Sequence, residues 1–115
     1  MQLTNDKSAL TEATYFILLA LTRPRHGYAI MQFVSEITQR RVNLGAGTLY
    51  GALSTLIEKG WIEQLPENSM DRKKEYYLSE DGVQILLSEI ERLKSIAAIG
   101  DKLIREVDNY DDKNS

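Results

Sequence analysis

Apolar side chains recur every three or four residues along most of this chain, switch to every second residue in one short stretch, and then return to helical spacing. Leu10, Ala13, Phe16, Ile17, Ala20 and Leu21 keep the helical period, with Ser8 as a candidate N-cap and Pro24 closing the segment. A second helix is predicted in "HGYAIMQFVSEITQRR", where Ile30, Phe33, Val34 and Ile37 share a face. Arg40 and Arg41 at its end suit the negative pole of the helix dipole. After a short extended piece, Val42 to Leu44, comes a third helix in "GAGTLYGALSTLIEKGW". Leu49, Leu53, Leu56 and Ile57 line its face, and Gly60 is its C-terminal stop.

Beyond Gly60 the period becomes two. "WIEQLPE" and "KKEYYLS" read as strands joined by the polar connector "NSMDR", a β-hairpin whose loop is too long for a tight turn. From Ser79, a candidate cap followed by Glu80 and Asp81, the helical period resumes through Val83, Leu86, Leu87, Ile90, Leu93, Ala97, Ile104 and Val107. About 25 residues at ~1.5 Å each make a helix on the order of 37 Å long. The order predicts a mainly α fold with a small β-hairpin: a winged helix-turn-helix over residues 1–79, a C-terminal helix over 80–108, and a polar tail, 109–115, expected to be disordered.

Composition narrows the chemistry. A chain of 115 residues with 43% hydrophobic and 27% charged residues is expected to form one domain around one core. Without cysteine there is no disulfide or thiolate metal site, and a lone histidine, His26, leaves neither a metal cluster nor a nucleophile–base pair. No metal, cofactor or catalytic site is expected, and His26 reads as structural or solvated. No apolar run approaches the ~20 residues that span a bilayer, and "MQLTNDKSAL" lacks a signal-peptide pattern, so the expectation is a cytoplasmic protein.

The net charge of −3 is unevenly spread. Residues 1–79 hold nine Lys/Arg against eight Asp/Glu, and residues 80–115 hold five against nine. The acidic excess therefore sits in the last third, which leaves room for a local basic patch in the winged part.

The third helix begins oddly, with Gly45, Ala46 and Gly47, then Thr48, and with Tyr50 off the leucine stripe. Small residues at a helix N-terminus let backbone N–H groups approach a phosphate where the dipole favours it. The second helix of a helix-turn-helix enters the major groove in that orientation. "DRKKEYY", the densest basic run, lies at the hairpin, where wings reach phosphates or the minor groove.

"HGYAI", "GTLYGALSTLIEKGWIE" and "KKEYYLSEDG" come in order over roughly residues 9–90, and the chain resembles the PadR family of bacterial transcription regulators. The single long C-terminal helix is similar to that of the short, dimeric subfamily. The resemblance implies a homodimeric repressor on a palindromic operator of double-stranded DNA. Carried onto matching positions, it implies DNA contacts at Tyr28, Gly47, Thr48 and Tyr50 and at the wing residues Arg72, Lys73, Lys74 and Tyr76. Since Tyr76 and Tyr77 point to opposite faces of one strand, one of them is expected in the core. Trp61 is expected to pack in the core or at its rim.

The last helix carries more apolar surface than one intramolecular stripe needs, so a dimer interface is expected at Ile90, Leu93, Ile96, Ala97, Gly100, Leu103, Ile104 and Val107. Some short members of the resembled family carry a tryptophan here that sandwiches planar aromatic drugs; the matching position is Leu93, and this helix has no tryptophan. An apolar cavity lined by Leu93, Ile96 and Ala97 for a small hydrophobic effector is the remaining expectation. The rival reading is a winged-helix protein-interaction module without DNA binding, because the third helix has no Lys or Arg before Lys59.

Overall fold

The computed structural model describes residues 9–66 and 74–107. In chain order they form α1 (Glu12–Ala20), β1 (Arg25–His26), α2 (Gly27–Ile37), α3 (Ala46–Lys59), β2 (Ile62–Gln64), β3 (Glu75–Leu78) and α4 (Glu80–Arg105). The expected helix order is present, and Val42–Leu44 is a bend and irregular connection between α2 and α3, not a strand. Ser8, the connector "NSMDR" and the tail fall outside the described residues.

The helix ends follow local chemistry. Thr11, not Ser8, caps α1: its Oγ1 accepts from the Thr14 N–H at 3.1 Å. α1 is also shorter than its apolar pattern, because the Leu21 N–H is shared between the carbonyls of Ile17 and Leu18 and tightens the last turn. His26 caps α2 through Nδ1, which accepts from the Ala29 N–H at 3.4 Å. Gly60 closes α3 at φ 80°, a left-handed conformation that glycine adopts without a Cβ penalty.

The sheet has three strands rather than the expected two. β3 lies centrally, paired antiparallel with β2 (Ile62 opposite Leu78, Gln64 opposite Tyr76) and with β1 (Arg25 opposite Tyr76). A two-residue strand is too short to leave a period in the sequence. Arg25 fixes it: its guanidinium donates to the Ala20 carbonyl at 2.6 Å and lies 4.4 Å from the centre of the Phe33 ring.

Ile17, Leu18 and Leu21 of α1 and its C-cap meet Ile30 and Val34 of α2, Leu49, Leu53 and Leu56 of α3, Ile62, Tyr76 and Leu86 in one core. Each such burial contributes about 1.5–3 kcal/mol. Ile57, expected on the same face of α3, is exposed instead. Ser79 joins α4 to this body: its N–H donates to the Trp61 carbonyl at 3.0 Å, its hydroxyl donates to the Gly60 carbonyl at 2.6 Å, and its Oγ accepts from the Gly82 N–H at 3.1 Å. Contact there is so close that a Cβ on Gly82 would stand 1.9 Å from the Trp61 carbonyl oxygen.

α4 divides into two parts. Leu86 and Glu89 are buried against the body, whereas every residue from Leu93 to Val107 is exposed. At ~100° per residue, Leu93, Ile96, Ala97, Ile99, Gly100, Leu103, Ile104 and Val107 fall within an arc of roughly 160°. The same arc contains the directions of Leu86 and Glu89, so the arm continues the face that the first turns of α4 bury. Nothing in the described chain covers it.

Candidate nucleic-acid interface

Four consecutive residues, Gly45 to Thr48, are exposed at the start of α3. Gly45 is the N-cap in extended conformation, no side chain caps the helix, and its first turn holds no acidic residue. The first N–H groups of α3 therefore keep unused donors beside a positive dipole end. An oxyanion is the chemistry such an end accepts.

Tyr50 is 48% exposed, yet its phenol does not simply project outward. It lies across the first turn of α2, so close that a Cβ built on Gly27 would stand 2.2 Å from its Oη. Tyr28 is 62% exposed, with Oη accepting from Gln32 Nε2 at 3.4 Å. The structure thus brings Gly47, Thr48, Tyr50 and Tyr28 to the paired starts of α3 and α2. Lys74 is exposed immediately before β3; Arg72 and Lys73 lie outside the described residues.

Tyr76 is a correction. It is 5% exposed and belongs to the core, and burial, then the neighbouring Tyr50, push its hydroxyl above the ordinary range. Strand alternation then sets its neighbour: with Tyr76 turned inward, Tyr77 faces outward, and its Oη donates to Glu63 Oε1 at 2.8 Å. That hydrogen bond raises the Tyr77 pKa.

The turn before α3 carries a feature that the apolar pattern does not reveal. Gln39 and Arg40 both adopt positive φ, 52° and 68°. Asn43 Nδ2 donates to the Arg40 carbonyl at 2.7 Å, and Ser35 Oγ bonds Asn43 Oδ1 at 3.0 Å. Side-chain bonds thereby fix a turn that two non-glycine residues would otherwise resist. Arg41 is paired with Glu12, which lowers the Glu12 pKa.

Of the expected dimer residues, Ile90 is half-buried, and Leu93, Ile96, Ala97, Gly100, Leu103, Ile104 and Val107 are exposed on the arm. Leu93, Ile96 and Ala97 lie exposed along the arm. A cavity of about 790 Å³ lies instead where the start of α1 and the end of α3 meet α4. Trp61, half-buried as expected at the rim, stands there with the Lys59 ammonium 5.0 Å from its ring centre. Glu89, 5% exposed, accepts from Arg92 Nε at 2.8 Å and Nη2 at 2.6 Å, and from the Leu10 N–H at 3.4 Å. The Arg92 bonds hold its carboxyl below the usual range against the opposing effect of burial. The i,i+3 Glu–Arg spacing was the only available signal for this pair. Among the described residues, no group of His, Asp or Glu is placed to hold a metal ion, and no helix is long and apolar enough to cross a membrane.

Residues 17–88 match the family model of the transcriptional regulator PadR-like family. The chain belongs to the PadR family. The fold agrees: a transcriptional regulator from Clostridium thermocellum superposes with a TM-score of 0.67 at 19% identity, covering 81% of this chain and 92% of that one. A PadR family transcription regulator from Clostridium difficile R20291 gives 0.65 at 23%, covering 80% and 97%. TA0346 from Thermoplasma acidophilum gives 0.62 at 28%, covering 84% and 91%. A 37.1 kDa protein of transposon Tn4556 from Streptomyces fradiae is 36% identical over 76 residues, which are 65% of this chain but only 21% of that protein. PadR proteins are transcriptional regulators and not enzymes, and this member is a winged-helix regulator of a DNA-binding family.

Proposed function

We propose that this PadR-family regulator is a homodimeric repressor that binds a twofold operator, with residues up to 79 contacting DNA and the helix over 80–108 joining the protomers. It acts where the chromosome is, in the cytoplasm. The observation that carries this reading is one chain combining an uncapped, exposed α3 start with an apolar arm that nothing in the described chain covers. A second copy related by a twofold axis covers identical arms with each other and presents two α3 starts to one face of a duplex. Thr48 and the N–H groups at Gly47 meet phosphates and base edges, Tyr28 and Tyr50 meet the backbone, and Arg72, Lys73 and Lys74 of the wing add charge. Leu93, Ile96 and Ala97 from both protomers would line the site of a small hydrophobic effector.

A mobility shift with the duplex immediately upstream of this protein's own gene tests the DNA reading. If a dimer neutralises about 6–10 phosphates, affinity falls roughly 10³–10⁵-fold between 50 and 200 mM salt. A flat salt response removes the electrostatic mechanism. The protein-interaction reading draws on the absence of Lys and Arg between Gly45 and Glu58. It prevails if no duplex is preferred over unrelated DNA, including duplexes selected from random sequence. For the effector, hydrophobic cationic dyes at saturation should lower operator affinity; unchanged affinity counts against that site.

A further inference from the structure

Gly27 is the first residue of α2 and is buried, although the turn around it is not. Its φ is not in the left-handed region, so backbone conformation does not require glycine there. Space does. An ideal Cβ at this position would meet three atoms of one side chain: Tyr50 Oη at 2.2 Å, Cζ at 2.7 Å and Cε1 at 3.1 Å. The tip of the Tyr50 ring occupies the volume that any other residue at 27 would fill.

We propose that Gly27 is a positioning residue for DNA binding: the missing side chain forms a socket that holds the Tyr50 phenol against the first turn of α2. Tyr50 thereby joins the starts of α2 and α3 as one unit. The inference rests on the DNA-binding reading above. The obstructing atoms belong to the free end of a half-exposed side chain, not to backbone. A methyl group at 27 therefore turns the tyrosine away by roughly 1.2–1.8 Å, to reach ordinary contact distance, while the fold accommodates it. Alanine also loses less backbone freedom than glycine on folding. Stability and DNA affinity consequently part company at this one position, which separates positioning from a merely structural role. Tyr76, buried in β3, lies near enough to Tyr50 for the two phenols to influence each other, so the tyrosine has a core residue nearby that limits where it can go.

The test measures melting temperature, together with affinity for a duplex that the wild-type protein selects from random-sequence DNA, for Gly27→Ala, Tyr50→Ala and the double variant. The expected result is an unchanged or raised melting temperature for Gly27→Ala with operator affinity about tenfold or more below wild type, the loss that follows when a hydrogen bond to a charged group is broken. Tyr50→Ala should lose a similar factor, and the double variant no more than the larger single loss. Should Gly27→Ala melt early, restoration of its melting temperature by Tyr50→Ala supports the socket, and continued early melting overturns it. Wild-type affinity in Gly27→Ala, or losses that multiply in the double variant, also overturn it while DNA binding stands. Failure of the wild type to select any duplex sinks the DNA-binding reading and this inference together.

Discussion

Replacing Leu103 by glutamate probes the arm with little disturbance elsewhere. Leu103 is 57% exposed in the single chain, and none of its neighbours from Leu93 to Val107 is buried. Full burial of a leucine contributes about 1.5–3 kcal/mol. The share still available to a partner is therefore roughly 1–1.5 kcal/mol per protomer. A twofold interface uses the residue twice, so its loss costs about 2–3 kcal/mol, or ~30–150-fold in the dimer dissociation constant. A carboxylate introduced into an apolar seam adds to that. Leucine and glutamate have similar helix propensities, so helix content by circular dichroism should be unchanged. Sedimentation equilibrium reads the constant. An unaltered dissociation constant, or a wild-type protein that is monomeric at concentrations where it binds its operator, refutes the assignment of this face.

Other expectations follow from contacts in the body. Gly82→Ala places a Cβ 1.9 Å from the Trp61 carbonyl oxygen, and because the obstacle is backbone the fold should lose ~3 kcal/mol or more, read by urea denaturation; a small change would mean α4 can shift against the backbone at Trp61. Glu89 titrates below its ordinary value of 4.5 when folded, so its stabilisation is complete above that pH and is lost as pH falls through the lower folded value. Glu89→Gln should accordingly be less stable than wild type at neutral pH, by about 1–3 kcal/mol, and should show a flatter stability profile below pH 4.5. Lys74→Ala should weaken binding evenly across DNA sequences and reduce the salt slope by about one per protomer, whereas Thr48→Ala should lower affinity more than Lys74→Ala; equal effects at the two positions would contradict the division between wing and reading helix.

Much of the fold was legible because its elements are strongly periodic and sharply capped. Leu49, Leu53 and Leu56 repeat along one face of α3, Gly60 ends it, and Ser79 with Glu80 and Asp81 opens α4 as their chemistry requires. What escaped the sequence depends on a few residues held by long-range contacts. β1 is two residues long and exists because β3 offers a free edge beside Arg25. The paired positive φ values at Gln39 and Arg40 depend on hydrogen bonds from Asn43 and Ser35, which apolar spacing does not encode.

The candidate site was legible in part for related reasons. Thr48 and Tyr28 are exposed because each lies off its helix's apolar face, a property the period supplies. Alternation along β3 says that one of two adjacent tyrosines is buried without saying which; the side of the sheet on which the helices pack decides that it is Tyr76. Gly27 gave no signal at all as a neighbour of Tyr50, since 23 positions separate two residues that only the packing of α2 on α3 brings together. The cavity beside Trp61 is likewise a product of three elements, whereas the arm's surplus of apolar residues was plain from one.

Selection of duplexes from random-sequence DNA by the intact protein, followed by sequencing and a salt titration of the winner, tests the central claim most directly. A homodimer reading the major groove through α3 should recover an inverted repeat with half-sites about 10–10.5 base pairs apart, or a multiple of that, and its affinity should fall steeply with salt. Recovery of no enriched sequence, or of a single asymmetric site bound with one protomer, would contradict the account.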